Sequence, residues 1–567
     1  MQKTSISIMA VALLFWLTTA CTEQGEPPSP AFSVVEASFA EMQSAMASGE
    51  TTSRDIVQQY LDRLARYERS LQATMTVNPD ALAQADQLDR ERAAGQVRGP
   101  LHGIPIALKD NIHTTDMPTT GGALAFRDYI PPYEATLVTR LRDAGAIILA
   151  KTTMTELANW VGTGMPGNYN TLRGYGYNPY DPRPDPRAGF NDGRAVLDTG
   201  GSSSGIGTAA NFWAANVGTE TSGSILSPAN NTMLAAIKPT VGRISRHGII
   251  PITADQDTAG PLAKSVADAA ALLAAMEGKD PHDHATGLCT PPIGGDYSSS
   301  LKLGALKGAR IGIPRVYFYE PTIPPGSDIP VGGLSAAQAQ AMASAIALLK
   351  AEGATVIDPV VIPSIVATDP NDNALLFGIC YDLERGKSND DNCSVILKYG
   401  MKRDFNTWLD SLGDSAPVAS LTELRSFNTR HEAAGAIRYG QAQLDISDEM
   451  DVEADAARFR ADRDKDLRLA RTQGIDAAIR KHELDALLMP SWLGEELLNK
   501  AGYPAVIVPY TTIPNERSPA LPAEFDPLPA PFGIAFYGSA CSENRLIELA
   551  YAFEQLSRGR VMPPAFP

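Results

Sequence analysis

Apolar residues recur at helical spacing behind the polar run Thr52-Ser53-Arg54-Asp55, at Ile56, Val57, Tyr60, Leu61 and Leu64. A hydroxyl ahead of such a stretch can cap the free amides of a first turn, so the pattern predicts a helix starting there. Ile104 to Leu108 is a short unbroken apolar run and predicts a strand. Leu137, Val138 and Leu141 share one helical face that stops at Gly145, and Ile147 to Leu149 predict a buried strand. The alternation returns later. Ser265 to Met276 predicts a helix and Arg310 to Ile313 a strand. Ala336 to Glu352 predicts a long helix ending at Gly353, and Val356 with Ile357 a further strand. Strands alternating with helices predict an α/β sheet covered by helices on both faces.

Two stretches break the rhythm. Asn178 to Pro186 is rich in proline and predicts a loop. From about 363 to 481 the chain is mainly polar with helical spacing, and is expected to form a helical insertion beside the sheet. Its charge run from Glu453 to Arg468 reads as a solvated helix face.

The first twenty residues stand apart from the fold. Lys3 precedes an apolar stretch from Ile6 to Leu17, shorter than the roughly 20 residues a membrane-spanning helix needs but suited to a secretory signal. The stretch ends Leu17-Thr18-Thr19-Ala20-Cys21, similar to a bacterial lipoprotein processing site. Cleavage after Ala20 without lipidation, or an uncleaved anchor, are the other readings. Residues 21–32 form a Pro-rich tether, and 33–567 the folded domain. The chain is expected in the periplasm, or lipid-anchored through Cys21, its one expected tie to a membrane.

Apolar residues make up 44% of the 567, ample for a core, and the net charge of -17 argues against a nucleic-acid partner, which needs clustered cations. Cys289, Cys380, Cys393 and Cys541 are an even set in an exported chain, and spacing alone does not choose between disulfides and buried thiols.

Three segments carry candidate chemistry. Gly200-Gly201-Ser202-Ser203-Ser204-Gly205 places three hydroxyls in a glycine turn, without the lysine of a phosphate-binding loop. Gly218-Thr219-Glu220-Thr221-Ser222-Gly223-Ser224 is a second such turn. Gly103 to Asn111 ends an apolar strand on Lys109, which read alone is a surface charge.

In this order the three segments resemble the amidase-signature family. The similarity continues through Lys238 to Gly242, Gln256 to Pro261, Gly502 to Ala505 and Pro531 to Ile534. The resemblance implies one large domain on a mixed β-sheet. It makes Ser224 the nucleophile and Lys109 the base. Ser202 would bridge them, held by a cis peptide bond. The backbone N–H groups of Thr221, Ser222, Gly223 and Ser224 would form an oxyanion hole. No metal or organic cofactor is implied, and the partner is a small-molecule or peptide amide. The chemistry is coherent, because a free lysine, with a pKa of about 10.4, becomes a usable base once burial disfavours its charged form.

Three departures bear on specificity. Residues 184–197 are an insertion ahead of the glycine–serine loop. Ser202 and Ser224 stand 22 residues apart, slightly closer than is usual in the family, which leaves Ser203 as an alternative to Ser202. Leu226 occupies a position where the family often has arginine, which argues against a carboxylate-bearing amide and against the glutamine-hydrolysing subunit of a tRNA amidotransferase. Glu220 and the triple serine are most similar to bacterial peptide amidases. Two rival readings stay open. Gly201 to Gly205 fits GxSxG, making Ser203 the nucleophile of an esterase with one of His247, His282, His284, His431 or His482. The other rival is an anchored binding lipoprotein without turnover. His282 and His284 as metal ligands are the weaker alternative to a plain polar loop.

Overall fold

The computed structural model describes residues 32–201, 204–290 and 295–567. The expected leader, Cys21 and nearly all of the tether lie outside the described residues, as do Ser202 and Ser203.

The helix expected behind Thr52 spans Ser53–Leu71, and the Thr52 hydroxyl accepts from the Asp55 amide at 3.0 Å. Helices Thr136–Asp143, Val266–Met276 and Ala336–Ala351 also form where the apolar spacing puts them. Among the described residues eleven strands make one sheet. In chain order they are β1 (Thr74–Val77), β2 (Pro105–Lys109), β3 (Ile147–Thr152), β4 (Ala215–Glu220), β5 (Ala235–Lys238) and β6 (Thr258–Ala263). They continue with β7 (Arg310–Gly312), β8 (Thr355–Ile357), β9 (Ala486–Pro490), β10 (Ala505–Ile513) and β11 (Ala530–Tyr537). Across the sheet the order is β1-β3-β2-β4-β6-β5-β10-β11-β9-β7-β8. The β3-β2-β4 and β9-β7-β8 neighbours are parallel and the rest antiparallel. The sheet is therefore mixed.

β3 runs three residues beyond its expected end because its charge is satisfied inside the protein. Lys151 is fully buried, with its amine 3.7 Å from Asp110 and donating to the Thr119 hydroxyl at 2.9 Å. A buried cation needs such partners.

The stretch 363–481 holds the helices Ile396–Ser411, Leu421–Arg430, Ala442–Asp448 and Ala456–Leu467. It packs on the segment around Phe126 and Trp160 through a second apolar cluster, in which the Phe126 ring lies 5.5 Å from Trp408 and 6.4 Å from Phe405. The charge run from 453 to 468 is only partly solvated, since Asp462 and Asp466 are buried. Asp466 accepts from the Ser394 hydroxyl at 2.6 Å and Asp462 from the Val395 amide at 3.0 Å. The cysteine pairing is Cys289–Cys541 and Cys380–Cys393.

Candidate functional site

β2 and β4 are parallel neighbours, with Leu108 opposite Val217. Their carboxyl ends therefore meet, at the kind of edge where open α/β sheets place ligands. Lys109 closes β2. It is fully buried, and its amine donates to the Thr219 carbonyl at 3.1 Å and to the Thr219 hydroxyl at 2.7 Å. The Asn111 side chain donates to the same hydroxyl at 3.1 Å. Burial brings the Lys109 pKa down from 10.5 to about 7, against the opposing pull of Asp257 and Glu220. A lysine out of water favours its neutral form.

β4 ends at Glu220 and the chain turns through Thr221–Ser224 into the helix Leu226–Asn231. The Glu220 carboxylate braces this turn. One oxygen accepts from the amides of Ile225 and Leu226 at 2.7 and 3.0 Å, and the other from the Asn499 side chain at 2.9 Å. Gly223 sits at φ 78°, a left-handed conformation that glycine adopts without penalty. The Thr221 hydroxyl donates to Asp257, whose second oxygen accepts from the amides of Ile252 and Thr253 at 2.9 and 3.0 Å. Burial raises the Asp257 pKa to about 7. The side chain of Gln256 donates to the Thr221 carbonyl at 3.0 Å.

The glycine–serine loop meets this turn from the other side. A Cβ on Gly201 would lie 2.8 Å from the Ser224 Cα and 3.1 Å from its Oγ, so only glycine lets the two backbones approach this closely. The Gly201 amide donates to the Ser227 hydroxyl at 2.6 Å, and the Gly200 amide to Asp198 at 3.0 Å. The structure thus gathers Lys109, the backbone leading into Ser202, and Ser224 at one end of the β2–β4 pair. Thr221, Ser222 and Gly223 join Ser224 in lining a cavity of about 850 Å³. Trp160, Met165, Ile252, Leu376 and Trp492 supply its apolar surface, interleaved with polar groups such as Asn159, Gln443 and Glu495. Glu495 stands on its wall beside Gly223, its carboxyl raised to about 8 by burial and by the neighbouring Glu496 and Glu220 charges.

The cavity wall also includes a strained turn. Leu157, Ala158 and Asn159 all have positive φ (42°, 57° and 69°), which costs non-glycine residues about 1–2 kcal/mol each. Ala158 and Asn159 line the cavity. Strain held in place at a cavity is a recurrent mark of function.

Among the described residues no histidine lines this cavity. His247 stacks on His282 at 4.5 Å and on Tyr133 at 4.8 Å, and His282 lies 3.0 Å from Asp280. His431 lies 2.8 Å from the Phe427 carbonyl oxygen, while His284 is exposed and His482 half-buried, neither of them on the cavity. Nor does any strand among the described residues lie between the short ladder ending at Tyr175 and the glycine–serine loop, where a GxSxG elbow needs one. The 184–197 insertion folds on its own ion pairs, Asp185–Arg187 and Asp192–Arg194, and reaches the helical stretch where the Tyr439 hydroxyl bonds Asp192.

Glu220 and Asp257 sit inside the recognised motifs, but their bracing roles carry no sequence signal. Asn499 has no signal at all, being 279 residues from its partner.

The family model for Amidase matches residues 55–547. A probable amidase of Arabidopsis thaliana is 32% identical over 551 residues, covering 95% of this chain and 93% of that protein. The native peptide amidase from Stenotrophomonas maltophilia superposes with a TM-score of 0.75 at 35% identity, covering 93% of this chain and 98% of its own. The peptide amidase PAM in complex with the competitive inhibitor chymostatin superposes at 0.78 with 34% identity, covering 94% of this chain and 100% of its own.

Proposed function

The chain belongs to the amidase family and hydrolyses amide C–N bonds, and from that premise we propose that Ser224 is its nucleophile and Lys109 its base, acting through Ser202. The observation that carries this reading is the fully buried Lys109 at the end of β2, its pKa lowered to about 7 and its amine bonded to the strand that leads into Ser224. Neutral Lys109 accepts the Ser202 proton while Ser202 accepts the Ser224 proton, and the freed Ser224 oxygen attacks the amide carbonyl. The N–H groups of Thr221, Ser222, Gly223 and Ser224 are then the donors for the oxyanion, each such donor typically contributing about 10²–10³ in rate. The proton returns from Lys109 through Ser202 to the departing amine. Water, deprotonated along the same relay, cleaves the ester on Ser224.

Peptide amides are the substrate class we favour, because two of the similar structures are peptide amidases and the cavity is large, with apolar side chains alternating with polar groups able to bond a peptide backbone. Leu226, buried behind the turn, offers no cation for a carboxylate-bearing amide. Export, with a lipid on Cys21, remains our reading of the first 21 residues, and the two disulfides are consistent with an oxidising compartment.

The test is a fluorophosphonate probe on the purified protein, with the adduct located by mass spectrometry and a Lys109→Ala variant in parallel. A Ser224 adduct that collapses in the variant is expected. An adduct at Ser203 indifferent to Lys109 restores the GxSxG reading, and turnover of no amide by a folded sample leaves a binding protein.

A further inference from the structure

One wall of the cavity is a strap that the reaction scheme does not use. Its ends are joined twice: the Ser394 amide donates to the Gly378 carbonyl at 2.8 Å and the Cys380 amide to the Ser394 carbonyl at 3.0 Å, and the Cys380–Cys393 disulfide closes the loop between. Its outer side is fastened to the helical stretch. Fully buried Lys398 pairs with Asp390 at 2.6 Å and donates to the Arg385 carbonyl at 3.2 Å. Arg458 donates to the carbonyls of Asp390 and Cys393 at 2.6 and 3.0 Å, and the Lys387 amide to Glu449 at 3.1 Å. A surface loop with no ligand to hold has no evident need for a buried lysine, an arginine clamp and a disulfide together.

Its cavity side is furnished differently. Tyr381, 50% exposed, lines the cavity together with Arg385 and Asn392. Among the described residues Arg385 bonds through its backbone alone, its amide donating to Asp382 at 3.1 Å and its carbonyl accepting from Lys398 at 3.2 Å. An aromatic face with two unengaged donors suits a chain of carbonyl groups. The cavity volume, about 850 Å³, also lies high in the range of about 300–1,000 Å³ for sites that enclose drug-sized ligands, far beyond the needs of a short-chain amide.

We propose that the Cys380–Cys393 strap is the subsite for the acyl portion of the substrate remote from the scissile bond, and that it takes a peptidyl chain. The ring of Tyr381 stacks on the peptide, and Arg385 and Asn392 donate to its carbonyls. The disulfide holds these groups in place, so the ordering cost is met on folding instead of on binding. This rests on Ser224, which lines the same cavity, being the nucleophile, and the experiment separates the two ideas.

The measurement is the ratio of kcat/KM for an N-acetylated tripeptide amide to that for N-acetylalaninamide. It is made on the wild type, a Tyr381→Ala/Arg385→Ala variant and a Cys380→Ser/Cys393→Ser variant. Melting temperature and the rate of fluorophosphonate labelling monitor folding. The ratio is expected to fall about tenfold in the first variant and severalfold in the second, through KM for the longer amide. A ratio within twofold of wild type in both overturns the strap as a subsite. If the wild type cleaves neither amide and takes no label at Ser224, the proposed reaction fails instead. The strap is then judged by titrating the tripeptide amide against the fluorescence of Trp160 and Trp492, where equal affinity in wild type and variants overturns it.

Discussion

Replacing Lys109 with methionine should remove activity and yet stabilise the protein, in a way that depends on pH. Burial lowers the lysine pKa from 10.5 to about 7. At about 1.4 kcal/mol per unit, that shift corresponds to about 5 kcal/mol of folding free energy lost when the buried group is charged. Between pH 7 and 10.5 the unfolded chain carries a proton that the folded chain does not. Stability of the wild type therefore rises with pH across this window, by up to about 1.4 kcal/mol per unit. Below it both states are protonated and the full penalty stands; above it the penalty vanishes. Methionine fills similar space and does not titrate. The variant also loses the two hydrogen bonds to Thr219, but in the folded protein that loss is an offset that changes little with pH, and the slope isolates the lysine. For a chain of this length the unfolding entropy makes about 1 °C of melting temperature per kcal/mol. Calorimetry at several pH values should then show the variant's advantage over wild type shrinking by about 4 °C from pH 7 to pH 10. An advantage or deficit that stays constant over that range refutes the argument that Lys109 is neutralised by burial.

The other predictions concern the turn and its base. Amide hydrolysis should rise with pH through a midpoint near 7, where Lys109 becomes neutral; a kcat/KM profile flat from pH 5 to 9 would contradict this. Gly201→Ala forces a methyl group to within 2.8 Å of the Ser224 Cα. Displacing a nucleophile by about 1 Å costs about 10²-fold, so the fluorophosphonate labelling rate should fall by that factor or more with the melting temperature little changed. Glu220→Gln puts an amide group where a carboxylate accepts three hydrogen bonds. A loss of about 2–4 kcal/mol is expected, visible as a lower melting temperature, together with slower labelling at Ser224.

Local chemistry made some of this legible in the sequence. The cap at Thr52, the apolar stripe behind it, the β2 run and the long helix ending before Gly353 are each written within a few residues of one another. Lys109 and Ser224 could be picked out because they stand in ordered glycine-rich and strand-end motifs, not because any isolated lysine or serine is remarkable by itself. The end of β3 is hidden from the sequence for the same reason in reverse. Lys151 reads as a stop signal until Asp110 and Thr119, from another part of the chain, are seen to satisfy it. The charge run at 453–468 reads as solvated because its buried partners, Ser394 and Val395, lie some seventy residues away.

The sequence by itself determined the family, the strand and turn that carry the candidate base and nucleophile, and the helix-rich character of the later stretch, since these depend on spacing within short segments. Tertiary structure decided the rest. It set the basicity of Lys109, because desolvation depends on everything packed around the amine. It chose Cys289–Cys541 and Cys380–Cys393 among the cysteine pairings, because only the fold brings Cα atoms to 5.4 and 5.2 Å. It brought Asn499 to Glu220, and it turned a polar loop between two cysteines into a wall of the cavity. Such contacts join residues far apart in the chain, and no local pattern encodes which distant surface a side chain will meet.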